Sequence, residues 1–428
     1  MIKPSEKGKH LEIQGNPETG KKPWKIAYVV LCLTLLALAA YQLFNLFIRF
    51  PIFAPDYRGF VGAVQALDHM QNPYILDNIN QYGWIVLPFA YPPHTLYFFW
   101  FLQFVYIFQN IWVYYIFLII LLIVSSYILL TLDQKPHYLF LTTLLLTGFI
   151  SLWWNFTRGN KDILFLFLFA IIFTWLLQKK YWQSSIVMGV TVGFSLFATP
   201  FAVLYLVIRR PILDRLAYIS LSLSVVVALF LVSYCINPSF LFSYIDSLLG
   251  SNSPFIVGNG WNAPIPYCLF NDLLKSISPG NIIPTVIISC IYIGIILFVT
   301  WNYYQKHHHD PLKVYSLAML SVFMILPRIM PYNFIILVVP IYFLFKDCTY
   351  RIKSLVLGVI SLLPFFVWYL PVLSFDKDKL PLLLGSYVQA YSLILIFVVV
   401  ILHDHLTSAS NEEGHGEKNP DRKNALTE

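Results

Sequence analysis

Residues 111–132 read IWVYYIFLIILLIVSSYILLTL, an apolar run without a single charged side chain. As a helix, about 20 such residues cross the roughly 30 Å hydrocarbon core of a bilayer. Similar runs lie near 26–48, 93–109, 138–154, 162–178, 184–208, 216–235, 281–301, 314–327, 332–346, 354–370 and 384–402. The pattern predicts an all-α polytopic membrane protein of about twelve transmembrane helices. Composition agrees: 58% of the 428 residues are hydrophobic and 11% are charged, against about 25% charged in soluble domains. Residues 26–402 contain no Glu at all. A soluble enzyme, a nucleic-acid-binding protein and a disulfide-stapled secreted domain are excluded. The five cysteines are scattered, without CxxC spacing, and read as free thiols.

The net charge of +7 sits mainly at the ends of the runs, where cytoplasmic loops collect Lys and Arg. Ala37-Leu38-Ala39 resembles a cleavage site, but the first run continues to Ile48, longer than a signal-peptide core. An uncleaved anchor with its N-terminus inside is therefore expected. Arg209–Arg215, Lys306–Lys313 and Lys346–Lys353 then fall inside, whereas Lys179-Lys180 falls outside, against the rule. The short runs 138–154 and 162–178 are thus open to being half-spans or a re-entrant pair. The expected organisation is a cytoplasmic tail over 1–25, a core over 26–235 with an outer loop at 50–92, a second outer loop over 236–280, C-terminal spans over 281–402 and a disordered cytoplasmic tail over 403–428. A prokaryotic plasma membrane is the expected location.

In the first outer loop, Phe60, Val61, Val64, Leu67 and Met70 recur at helical spacing among polar residues. This predicts an interfacial amphipathic helix. Asp56 precedes it, in Ala54-Pro55-Asp56-Tyr57-Arg58. A carboxylate at the water boundary suits a general base for a sugar hydroxyl; an N-cap of the helix is the plainer role. His94, after Tyr91-Pro92-Pro93, lies at the same boundary and could bond a phosphate or sugar. Asn155-Phe156-Thr157-Arg158-Gly159-Asn160-Lys161-Asp162 is a polar knot between short runs. Arg158 and Lys161 suit a phosphate and Gly159 permits close backbone approach, although an ordinary headgroup loop would look the same. Arg328, in Pro327-Arg328-Ile329-Met330-Pro331-Tyr332-Asn333, is a basic residue on the face that disfavours one. His307-His308-His309 reads as a solvated loop rather than a metal site.

The order of these features resembles the GT-C superfamily of membrane glycosyltransferases, and the finer pattern resembles glycosyltransferase family 87. Asp56-Tyr57 matches that family's acidic residue and Tyr after the first span. Met70-Gln71-Asn72-Pro73-Tyr74 matches its Gly-x-Asn-Pro-Tyr turn without the Gly, and Tyr91-Pro92-Pro93 its Tyr-x-Pro entry to the second span. Arg158-Gly159-Asn160 and Pro327-Arg328 with Tyr332 match later elements, whereas Thr199-Pro200 replaces a Lys-Pro. The likeness covers residues 26–345. It implies an inverting transferase that takes a mannose-like hexose or pentose from a polyprenyl-phosphate carrier, for an envelope glycan or glycolipid acceptor at the outer face. Asp56 would be the base. Arg158, Lys161 and Arg328 would hold the donor phosphate. Tyr57, Arg58, Tyr91, His94, Asn160 and Tyr332 would line the pocket. A divalent metal is optional in that superfamily, and no ligand cluster asks for one. The rival readings are a transporter or flippase for a lipid-linked or polar substrate, which would favour ionisable groups at mid-membrane and internal repeats, and a non-catalytic scaffold.

Overall fold

The computed structural model describes residues 21–49, 54–82, 89, 91–107, 110–133, 135–249, 265–277, 283–326, 329–369 and 387–416. Their regular secondary structure is entirely helical, with no strand among the described residues. The chain begins with α1 (Lys21–Arg49), α2 (Pro55–Asp68), α3 (Leu76–Asn80), α4 (Pro93–Phe104) and α5 (Ile111–Thr131). Next come α6 (Tyr138–Thr147) and α7 (Ser151–Arg158), joined by a 3-10 turn at Gly148–Ile150. α8 (Asp162–Leu177) and α9 (Tyr181–Phe194) precede a 3-10 stretch over Leu196–Tyr205, and then α10 (Ile212–Ile236), α11 (Pro238–Leu249) and α12 (Pro266–Ile277). α13 (Ile283–His307) and α14 (Pro311–Ile325) lead into a 3-10 stretch over Pro331–Leu337 and α15 (Val338–Phe345). α16 (Tyr350–Leu357) and α17 (Leu363–Tyr369) flank a π-helical turn, and α18 (Val388–Gly416) ends the described chain. It extends helically into the segment read as a disordered tail.

Among the described residues, seven segments are long and apolar enough to cross a membrane. Shorter apolar helices cover Asp162–Leu177, Leu196–Tyr205, Pro311–Ile325 and Pro331–Phe345. With α9 these make up the expected dozen passes, but the chain is divided differently. The run at 93–109 is only the twelve-residue α4, and it does not cross: beyond it, Tyr114 near the start of α5 still stacks on Tyr57 of α2 at 5.3 Å. The run at 184–208 is two passes. It breaks at Ser195, whose backbone is extended (φ −159°, ψ 116°), and returns as a 3-10 stretch holding Pro200, a residue that cannot continue an α-helix.

This division settles the parity of the knot. The chain has a basic face and an opposite face, each tied together by long-range contacts. On the basic face the Arg351 guanidinium lies 5.5 Å from the Trp24 ring, Lys346 pairs with Asp133 at 2.7 Å, Lys306 pairs with Asp404 at 2.8 Å, and Arg210 covers Tyr181 at 5.6 Å. Burial alone would raise the Asp133 carboxyl, but bonds from Lys346 and Tyr342 outweigh it and hold the group below the usual carboxylate range. On the opposite face Asn72 donates to Ser243 at 2.8 Å, and Arg158 meets Asp56 at 2.7 Å. Because α4 does not cross, the knot at 155–162 shares a face with Asp56. Lys179-Lys180, adjoining Tyr181, joins the basic face. The apparent breach of the orientation rule disappears.

α8 is the centre of the bundle: Ile163, Phe165, Leu166, Phe169, Phe173 and Leu176 are all buried, and it packs against α5, α9, α14 and α15. α10 and α13 instead expose Leu223, Val227, Leu231, Ile287, Ile291 and Phe298, as lipid-facing helices do. α2 is the expected helix and buries Phe60 and Val64 of the predicted face, but its buried side is completed by Tyr57, Ala63 and Ala66, while Val61 and Leu67 are half-buried. Met70, expected on that apolar face, instead lies past the helix end, where the backbone has turned (φ 58°), and is exposed.

Between lipid-exposed helices hydrocarbon supplies little hydrophobic drive, so close packing of small residues carries association. Ser185, Gly189 and Gly193, spaced by four on α9, face α10 in this way. Ser222 donates to the Ser185 carbonyl at 2.9 Å. A Cβ on Gly189 would fall 2.5 Å from the Ser222 carbonyl oxygen and 2.6 Å from the Val225 Cβ. Gly189→Ala is therefore expected to push the helices apart and destabilise the protein by about 1–3 kcal/mol, read as a lower melting midpoint in detergent.

Candidate active site

The site is built where the first turn of α2 meets the reversal between α7 and α8. Ala54 is the helix N-cap and makes no side-chain cap bond; Pro55 and Asp56 lie in the first turn. Asp56 is thus not the cap, which corrects that reading, although its charge still complements the positive end of the helix. Its carboxylate instead turns toward the knot.

α7 closes with a Schellman motif: Asn160 N–H donates to the Asn155 carbonyl at 2.8 Å and Gly159 N–H to Phe156 at 3.2 Å. The motif requires a left-handed residue, and Gly159 has φ 64°. A Cβ there would lie 2.5 Å from the Tyr57 Cβ and 3.2 Å from the Ala54 Cβ. Glycine therefore permits both the turn and the seating of α2 against it.

This seating brings Arg158 and Asn160 onto Asp56. Arg158 Nη2 donates to Oδ1 at 2.7 Å and Nε to Oδ2 at 3.0 Å, a bidentate fork. Asn160 Nδ2 donates to Oδ2 at 2.7 Å. The pair is half open: the Arg158 side chain is 27% exposed and that of Asp56 10%. The Tyr332 ring lies 5.9 Å from the guanidinium. Beneath them Lys161 is enclosed, with Nζ 3.9 Å from the Tyr91 ring centroid, 4.4 Å from that of Phe165 and 3.9 Å from Asp162 Oδ1. Burial pushes the Lys161 ammonium below the usual lysine range, against the pull of Asp162 and Asp56.

The structure thus gathers Asp56, Arg158, Asn160, Lys161, Tyr91 and Tyr332. Tyr57 is adjacent, but its ring packs on Tyr114 at 5.3 Å. Arg58 is half-buried, with no ion-pair or hydrogen-bond partner for its side chain among the described residues. His94 is drawn away from the expected pocket. Its Nε2 meets the Gly193 carbonyl at 2.6 Å and its Nδ1 the Ser233 hydroxyl at 3.0 Å, so both ring nitrogens serve the packing of α4 on α9 and α10. Arg328 lies outside the described residues. Among the described residues no group of His, Cys, Asp or Glu could hold a metal ion. His307 pairs with Asp404.

Three residues of the site carried no role in the sequence reading: Asn155, Asp162 and Asn333. Asn155 donates to the Tyr332 carbonyl at 2.9 Å, and the Asn333 amide donates to the Asp162 carboxylate. Their signal was polarity inside apolar surroundings, where a buried amide or carboxylate needs a partner.

A family model, glycosyltransferase family 87, matches residues 89–327. No curated protein and no solved structure matches the chain. The matched region contains the knot and Tyr91; Asp56 precedes it and Tyr332 follows it. An all-helical chain with seven membrane-length apolar segments and a family match over more than half its length is an integral membrane glycosyltransferase: the chain belongs to glycosyltransferase family 87.

Proposed function

We propose that this protein transfers a sugar, mannose-like by preference, from a polyprenyl-phosphate carrier to a glycan or glycolipid acceptor at the outer surface of a prokaryotic plasma membrane. The basic face would lie in the cytoplasm with both termini, as the orientation rule asks, and the Asp56 face outside. The observation that carries the reading is one half-open carboxylate held by one bidentate arginine. That is the minimum equipment for an inverting displacement from a phosphate leaving group.

Asp56 takes the proton of the acceptor hydroxyl as its oxygen bonds to the anomeric carbon. The bond from that carbon to the phosphate oxygen breaks, and the phosphate leaves with the electron pair. Arg158 offsets the developing charge by direct hydrogen bonds, and Lys161 does so through its field from beneath Tyr91. In the resting site Arg158 and Asn160 occupy the lone pairs of Asp56. A donor phosphate competes for the arginine fork; as Arg158 turns to it, Asp56 becomes free to accept a proton. Donor binding therefore precedes and arms the base. Family membership weighs against the transporter reading.

The test is transfer in proteoliposomes with a panel of radiolabelled polyprenyl-phosphate sugars beside the matching nucleotide sugars. Use of a nucleotide sugar alone would overturn the donor class. The same assay carries a pH signature. Burial lowers the Lys161 pKa below the usual lysine range, so the side chain loses its charge earlier than a free lysine and donor binding weakens as pH rises through that lowered value. The donor KM is expected to rise by up to about tenfold one pH unit above it. In Lys161→Arg, which stays charged, the KM is expected to remain flat over the same interval.

A further inference from the structure

We infer that Asp162 and Asn333 form a buried joint that positions Arg158, Asn160 and Tyr332 for transfer, an inference that rests on the glycosyltransferase reading above. Neither residue is suited to touch substrate. The Asp162 side chain is 2% exposed, Asn333 is buried, and no step of the displacement uses them.

The joint is a chain of hydrogen bonds from the base to the segment preceding α15. Asn160 Nδ2 donates to Asp56, and Asn160 Oδ1 accepts the Asp162 backbone N–H at 3.1 Å. The Asp162 carboxylate accepts from the Asn333 amide. Asn333 Oδ1 in turn accepts the Met330 N–H at 2.7 Å. A parallel strut runs from Asn155 to the Tyr332 carbonyl at 2.9 Å. Residues 330–333 are thus clipped to both the last turn of α7 and the first residue of α8. The atoms fixed between the clips are those that meet Asp56 or lie beneath its arginine.

A joint of purely structural purpose has no need of a charge. Burying a carboxylate costs several kcal/mol unless it is well paired, and a neutral amide pair would close the same gap. The charge has a use here because Lys161 Nζ stands 3.9 Å from Asp162 Oδ1, which keeps a cation beneath Tyr91. One carboxylate therefore anchors the late segment through Asn333 and sustains the field that steadies the leaving phosphate.

The test uses the full-length protein in nanodiscs with three variants: Asn333→Ala, Asp162→Asn, and the exchange Asp162→Asn with Asn333→Asp. In the exchange the residue at 333 still accepts from Met330 and now also accepts from the amide at 162, so the joint closes with its polarity reversed. Two readouts are taken. Hydrogen exchange at the amides of residues 155–162 is expected to quicken at least tenfold in Asn333→Ala, to return toward wild type in the exchange, and to stay unchanged in α10. Per folded molecule, kcat is expected to fall about 10–100-fold in Asn333→Ala, with the donor KM within about threefold of wild type. The exchange is expected to regain at least tenfold over Asp162→Asn.

Unchanged exchange at 155–162 in Asn333→Ala overturns the joint. A kcat per folded molecule equal to wild type in Asn333→Ala overturns its positioning role, and an exchange variant no better than Asp162→Asn overturns the use assigned to the charge. If wild type moves no sugar from any carrier, the transfer reading falls, while the hydrogen-exchange arm still decides whether the joint exists.

Discussion

Asp56→Asn is expected to lower kcat by about 10²–10⁴-fold, leaving the folded yield and the melting midpoint nearly unchanged. Asparagine keeps the shape of the carboxylate and can still accept a hydrogen bond from Arg158, but it cannot take the proton of an acceptor hydroxyl. Stability should survive because the Arg158–Asp56 pair is partly exposed, with 27% and 10% of the two side chains open. Proteoliposome transfer, normalised to folded protein, separates the outcomes. A rate near wild type would move the base elsewhere. A melting midpoint lowered by more than about 5 °C would make Asp56 chiefly the partner that seats α2 on the knot.

Arg158→Lys is the second large effect. Lysine keeps the charge but loses the planar fork that meets two oxygens at once. The fork is in use at rest, on Oδ1 at 2.7 Å and Oδ2 at 3.0 Å of Asp56, and it is the same fork that the leaving phosphate needs. The expected loss in kcat is about 10²–10³-fold, the scale seen when one donor to a developing charge is removed. Its separation from the Asp56 effect comes from the leaving group. A carrier phosphate replaced by a better leaving group should rescue Arg158→Lys and leave Asp56→Asn as slow as before. Because the two residues share one ion pair, Asp56→Asn with Arg158→Lys should lose much less than the product of the single losses. Multiplicative losses would show that each acts alone and that the resting pair has no part in arming the base.

These expectations draw on residues that were legible to different degrees. Asp56 and the knot at 155–162 stood out because charge is scarce in an apolar chain, so each ionisable side chain near a helix end invites a role. Lys161 was legible as a cation but not as an enclosed one. His94 misled: a histidine at the same boundary as Asp56 looks available until the Gly193 carbonyl and the Ser233 hydroxyl take its two ring nitrogens. Asp162 and Asn333 lay inside the very stretches singled out, yet nothing local distinguishes a buried joint from a pair of loop residues. Their partnership spans 171 positions, and sequence spacing carries no signal over that distance.

That the chain is a bundle of apolar helices with basic loops between them follows from the order of residues alone, because transfer from water to hydrocarbon is local and nearly additive along a run. The same additivity cannot say where a run stops crossing. The apolar residues of α4 resemble those of any span, but the helix ends at Phe104 and Tyr106 has left the helical region (φ 64°); the run at 184–208 turns back at Ser195. Those two departures move the knot from one face to the other. That placement, and with it the site, comes from packing, since a bidentate ion pair across 102 residues depends on distances and angles that close packing alone sets: Gly159, without a Cβ, lets α2 come near enough for Arg158 to reach Asp56.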